Sequence, residues 1–141
     1  MRDIHHFING QSVSGTSGRF GDVFNPNTGE VQARVQLATE SELDRAVQAA
    51  QTAFESWSTV NPQRRARVMF EFKRLVEANM DQLAEMLSAE HGKVIADSKG
   101  DVQRGLEVIE FACGIPHAVK GEYTWGAGPG IDVYSMRQPL G

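Results

Sequence analysis

Val31-Gln-Ala-Arg-Val-Gln-Leu-Ala-Thr39-Glu-Ser-Glu42-Leu-Asp-Arg-Ala-Val47 is the stretch where the chain changes period. Up to Leu37, the apolar residues Val31, Ala33, Val35 and Leu37 alternate with Gln32, Arg34 and Gln36, the two-residue repeat of a half-buried strand. From Thr39 the repeat is helical. Thr39 followed three residues later by Glu42 has the spacing of a capping box. Beyond it Leu43, Ala46, Val47, Ala50, Ala53, Phe54 and Trp57 fall on one stripe. Helices of this kind normally cover a sheet, so strands and helices belong to one layered fold.

Towards the N-terminus, Asn25-Pro-Asn-Thr-Gly29 reads as a turn. Phe7-Ile8, Asn9-Gly10 and Gln11-Ser-Val13 read as a hairpin, because Asn-Gly accepts the positive φ of a tight turn. Towards the C-terminus, Asn61-Pro62 starts a second helix, with Val68, Met69, Phe72, Leu75 and Val76 on its apolar side. Asp81 is the expected cap of a third, which Gly92 ends. A fourth runs from about Ala96 to Cys113, stopped by Gly114 and Pro116. Gly126-Ala-Gly-Pro-Gly130 reads as a loop tip and Ile131 to Gln138 as a strand. The expected fold class is helix-rich α+β, with N-terminal strands, about four helices and a C-terminal strand. The visible sheet is small for the helices it must serve, which suggests a piece of something larger.

The 141 residues carry 14 basic and 18 acidic side chains, a net charge of -4, which argues against a nucleic-acid partner. No apolar run is long enough to span a membrane. The segment Met1-Arg-Asp-Ile-His-His has no apolar signal core, so the expected location is cytoplasmic. The single cysteine suits a reducing compartment.

Cys113 is a weak candidate nucleophile. It sits near a helix C-terminus, where the dipole disfavours a thiolate, and it continues the stripe of Val102, Leu106 and Ile109. The pattern points to a core thiol. His5, His6, His91 and His117 match no metal-ligand spacing. The glycines at 126–130 precede a strand and include Pro129, unlike a dinucleotide loop, which follows a strand and opens a helix. Arg64, Arg65 and Arg67 read as a solvated or inter-subunit face. Arg104 stands out. At 100° per residue it shares a face with Val108, Phe111 and Ile115, opposite Val102, Leu106, Ile109 and Cys113. A helix apolar on both sides is mostly buried, and an arginine there needs an internal carboxylate or an acidic ligand.

Several segments resemble the N-terminal region of the NAD(P)-dependent aldehyde dehydrogenase superfamily: Phe7-Ile-Asn-Gly10, Phe24-Asn-Pro-Asn-Thr-Gly-Glu30, Ala46 through Trp57, Arg64-Arg-Ala-Arg67 and Glu90-His-Gly-Lys93. Arg104 through Pro116, Lys120-Gly-Glu122 and Ile131 through Gly141 resemble its CoA-acylating methylmalonate-semialdehyde dehydrogenase branch. The resemblance implies an α/β parent of which residues 1–121 are the N-terminal part of the NAD-binding domain and residues 122–141 the start of the oligomerisation arm. The remaining NAD-binding and catalytic parts would lie outside this chain. It further implies NAD and coenzyme A in the parent, a homo-oligomer, and oxidation of malonate or methylmalonate semialdehyde through a cysteine thioester. No catalytic or NAD-binding residue is expected within these 141 residues. Arg104 matches the residue implied to hold the substrate carboxylate. Glu90, with the backbone of Val23 and Phe24, matches a monovalent-cation site. A non-acylating aldehyde dehydrogenase and a stand-alone helical interaction module are the alternative readings.

Overall fold

A computed structural model describes residues 1–141. Its first segment is built of five short strands: β1 (Arg2–Ile4), β2 (His6–Ile8), β3 (Gln11–Val13), β4 (Phe20–Phe24) and β5 (Val31–Gln36). The expected hairpin joins β2 to β3. Its turn residues Asn9 and Gly10 have φ of 51° and 74°, the two positive values that a type I′ turn requires. β5, the alternating stretch, is the centre of a three-stranded sheet in the order β1-β5-β4. It pairs parallel with β1 and antiparallel with β4. Ala33 in its middle is buried. Arg34 ties the sheet together: its guanidinium bonds Asp3 at 3.2 Å and lies 4.6 Å from the centre of the Phe20 ring.

Four long helices follow: α1 (Glu40–Trp57), α2 (Pro62–Ala78), α3 (Met80–His91) and α4 (Ile95–Cys113). Thr39 and Glu42 form the expected capping box. Asn61 caps α2, with Pro62 at the first helical position. Asp81 does not cap α3. The cap position is Asn79, because α2 and α3 share that residue across a tight corner, and Asp81 instead pairs with Lys99 at 2.6 Å. Gly92 ends α3 at φ 84°, where a Cβ would also stand 3.0 Å from Pro26. A fifth helix, α5 (Ile115–Ala118), follows Gly114. Pro116 stops α4 as expected yet is tolerated here, since the first turn of a helix needs no proline N–H. The loop expected at 126–130 is mostly strand. β6 (Tyr123–Gly128) and β7 (Ile131–Tyr134) form an antiparallel hairpin turning at Pro129-Gly130, and β7 stops four residues short of Gln138. The expected α+β class, with N-terminal strands and a helical body, is what the chain adopts.

Glu42 fastens α1 to the strand layer. Its carboxylate accepts from the Thr16 amide at 2.7 Å and hydroxyl at 3.0 Å, and from the Thr39 amide at 2.7 Å and hydroxyl at 2.9 Å. The residue is buried. The Thr39 amide, with the Thr39 hydroxyl and the Thr16 amide and hydroxyl adding to it, outweighs desolvation and holds the carboxyl at about 2 instead of the ordinary 4.5. A depressed folded pKa contributes stability that is present above the ordinary value and is lost as pH falls from 4.5 towards 2. We therefore expect Glu42→Gln to flatten the acid limb of stability across that window. Denaturation midpoints measured against pH for both proteins check this; parallel acid limbs would contradict it.

The packed centre lies where α4 meets α2 and α3. Leu106, Ile109 and Cys113 of α4 are buried, and Ala66 of α2 and Ala84 of α3 allow close approach. The Ser88 and Ser98 hydroxyls share a 2.7 Å hydrogen bond between α3 and α4. This core is small. The accessible surface is 10784 Å², whereas a compact monomer of 15.5 kDa exposes about 7,200 Å². The surplus is apolar: Leu43 and Val47 on α1, Val68 and Phe72 on α2, Val108 and Phe111 on α4, and Trp125 and Tyr134 on the hairpin are all exposed. The helices present their stripes outward as well as inward, as elements built to be covered do.

Candidate functional site

Arg104 lies midway along α4 on the face opposite the core. The expectation of a helix buried on both sides holds for one side only within this chain. Leu106, Ile109 and Cys113 are covered, whereas Val108 and Phe111 are 68% and 77% exposed. The Arg104 side chain is itself 80% exposed, flanked by these apolar groups. Its Nη1 donates to Glu107 Oε2 at 2.7 Å, one turn on. That hydrogen bond, and then the nearby charge, raises the Arg104 pKa further. The site is thus a fixed cation on an apolar face, suited to an anionic group delivered from above.

Glu90 ends α3, beside β1 and β5. Its carboxylate is 3.9 Å from the Arg2 guanidinium and about half exposed. Gln32 of β5 brings the neighbouring backbones together, its amide donating to the carbonyls of both Phe24 and Ala89 at 3.2 Å. β4 changes register between Val23 and Phe24. Arg2, Gln32, Met86, Ala89 and Glu90 line an open cleft of about 250 Å³. Chain packing therefore places the end of β4 beside the end of α3, with Arg2 as the present partner of Glu90.

Cys113 is buried in the α4 core, as its stripe predicted. His5 bonds Gln36 at 3.1 Å, and no cluster of three metal-ligating side chains forms. Arg64, Arg65 and Arg67 have no carboxylate partner, and Arg65 lines a cleft of about 170 Å³ with Trp57, Met69 and Ile115. Gly126, Gly128 and Gly130 belong to the β6–β7 hairpin, so they build no phosphate cradle. Sequence reasoning missed Asp132, whose carboxylate accepts from the Tyr123 hydroxyl at 2.5 Å and the Gly126 amide at 2.8 Å. No short-range pattern announces such a pairing across a bulge. It also missed Glu107, although the i,i+3 spacing from Arg104 was visible.

Residues 13–141 match the aldehyde dehydrogenase family. The chain belongs to the aldehyde dehydrogenase family. Among curated relatives it is 44% identical to the malonate-semialdehyde dehydrogenase of Pseudomonas aeruginosa over 141 residues, all of this chain and 28% of that protein. It is also 44% identical to the acylating mitochondrial methylmalonate-semialdehyde dehydrogenase of Arabidopsis thaliana, over 98% of this chain and 23% of that protein. Among solved structures it superposes with a TM-score of 0.95 and 58% identity on a Sinorhizobium meliloti protein assigned as a methylmalonate-semialdehyde dehydrogenase and bound to NAD. That match covers all of this chain and 29% of the other. The methylmalonate-semialdehyde dehydrogenase of Oceanimonas doudoroffii gives 0.94 and 45%, over 99% of this chain and 28% of that one. The chain thus spans less than a third of the length of the relatives it matches. Within this family its arrangement of strands, helices and hairpin is the shared fold.

Proposed function

We propose that this chain is the N-terminal segment of a CoA-acylating methylmalonate-semialdehyde dehydrogenase. The parent would carry out NAD-dependent oxidation of malonate or methylmalonate semialdehyde to acetyl-CoA or propionyl-CoA, with loss of carbon dioxide. The observation that carries this reading is the end-to-end match, in both sequence and backbone, to proteins of that description. The glycine-rich segment at 126–130 is part of a β-hairpin and offers no phosphate cradle. On this reading residues 1–121 are the N-terminal part of the parent's NAD-binding domain, and the reactive cysteine belongs to another part of the parent.

The chemistry assigned to this segment is binding. Arg104 grips the substrate carboxylate and so orients the aldehyde at the far end of the molecule. A planar guanidinium suits a carboxylate, and a covered apolar face strengthens the pairing by excluding water. Residues 122–141 begin an arm for assembly into a homo-oligomer. That assignment draws support from a two-stranded hairpin whose strand residues are almost all exposed, because such a ribbon is marginal in water without a partner. Glu90 and the backbone of Val23 and Phe24 are assigned to a monovalent cation, in competition with Arg2 for the carboxylate. No helix is long and apolar enough to cross a membrane, in keeping with a cytoplasmic enzyme.

The test is product analysis on the full-length polypeptide, with malonate and methylmalonate semialdehydes, NAD, and coenzyme A present or omitted. We expect acyl-CoA and carbon dioxide, with turnover that depends on coenzyme A. Turnover to a free acid without coenzyme A would assign the chain to a non-acylating enzyme of the same family.

A further inference from the structure

Three arginine–glutamate pairs at i,i+3 spacing lie on the helices of this chain; Arg45 and Glu42 on α1 stand 3.9 Å apart without a hydrogen bond, and the two that are hydrogen-bonded are built differently. On α2, Arg74 closes on Glu71 through two bonds, Nε to Oε2 at 2.8 Å and Nη2 to Oε1 at 2.6 Å. The Nε/Nη2 edge, the one best matched to a carboxylate, is consumed. On α4 the order is reversed, with arginine first, and the bond runs from Arg104 Nη1 to Glu107 Oε2 at 2.7 Å. The guanidinium makes no other hydrogen bond, so its Nε/Nη2 edge is open.

The setting differs as well. Arg104 stands among Val108 and Phe111, large apolar groups on the open face. Once that face is covered, the remaining guanidinium donors lose water and require an acceptor. A carboxylate ligand supplies one. Glu107, meanwhile, offsets the charge of Arg104 before the ligand arrives and narrows the rotamers of a long, flexible side chain.

We propose that Glu107 is a positioning residue for substrate binding: it holds Arg104 by Nη1 and leaves the Nε/Nη2 edge free for the carboxylate of the semialdehyde. The proposal rests on the reading of Arg104 as the carboxylate-binding residue. Glu107 is not a rival ligand on this account, because the two carboxylates use different edges of one guanidinium.

The experiment uses the full-length enzyme and three variants, Arg104→Ala, Glu107→Gln and Glu107→Asp. Steady-state kinetics are measured with malonate semialdehyde and with propanal, a neutral aldehyde of similar size. Glu107→Gln should raise KM for the acidic substrate about tenfold, short of the ~hundredfold that a 1 Å misplacement can cost. The change in kcat, and the change with propanal, should be much smaller. Glu107→Asp should recover part of the loss, which a merely structural effect would not give. An unchanged or lowered KM with Glu107→Gln would overturn the proposal, the lowered value marking Glu107 as a competitor for the fork. Equal losses on both aldehydes would overturn it too. If Arg104→Ala itself fails to separate the two aldehydes, the underlying reading of Arg104 is what has failed. If it separates them and Glu107→Gln does not, only the role of Glu107 is lost.

Discussion

Arg104→Ala in the full-length enzyme is expected to lower kcat/KM for malonate or methylmalonate semialdehyde by about a hundredfold, the loss that truncating one partner of a desolvated charge pair gives, because on this account the Val108 and Phe111 face is covered when substrate binds. The loss should appear mainly in KM, because the guanidinium binds the end of the substrate remote from the reacting carbon. A part of it should reach kcat, since the remote contact also orients the aldehyde. A neutral aldehyde has no carboxylate to lose and should be nearly indifferent. Arg104→Lys should rescue poorly, since an ammonium lacks the planar edge. Equal losses on acidic and neutral aldehydes would mean that Arg104 supports the fold of α4 and does not bind substrate. Low helix propensity is no alternative cause, because alanine is the best helix former.

The second large effect is expected at Gly121, at the base of the β6–β7 hairpin. A Cβ there would overlap the carbonyl oxygen of Ser135, a backbone atom that no side-chain rotation can move aside. Two bonds close the base: the Ser135 amide donates to the Glu122 carbonyl at 2.9 Å, and the Glu122 amide donates to the Ser135 hydroxyl at 2.9 Å. Gly121→Ala must separate the strands there and give up both, at about 1 kcal/mol net for each. A two-stranded ribbon has little to spare, so the hairpin should open from its base while the helical body persists. Hydrogen exchange over residues 122–135 measures this directly, and exchange protection like that of the parent would contradict it. In the full-length protein the same variant should shift the oligomer towards smaller species, if residues 122–141 begin the assembly arm.

The elements most legible in the sequence are those whose determinants are local. The Asn9-Gly10 turn, the Thr39–Glu42 capping box, Asn61-Pro62 and Gly92 each act over three or four residues, and each stands where its pattern put it. Asp81 has the side chain of a cap, but Asn79 carries two duties at once, closing α2 and opening α3, so the helix already begins at Met80 and Asp81 falls in its first turn. β6 was missed because its glycines resemble loop. What keeps Gly126 and Gly128 in a strand is the pairing with β7 and the grip of Asp132 on the Gly126 amide, both non-local. β1 was invisible for the same reason: three residues next to a parallel partner thirty positions away leave no periodicity to read. The apolar stripes foretold more cover than 141 residues provide, and the surplus of exposed surface is the structural form of that expectation. For the candidate site, periodicity placed Arg104 correctly among Val108 and Phe111. It left open whether the partner is internal or a ligand, and Glu107 now supplies an internal partner for one edge of the guanidinium.

A crystal structure of the full-length enzyme with malonate bound, as a stand-in for the acidic end of the substrate, tests the account most directly. The result we expect has the α4 face of Val108 and Phe111 covered by further chain and one malonate carboxylate on the Nε/Nη2 edge of Arg104. A malonate bound elsewhere, with Arg104 facing bulk solvent, would contradict it.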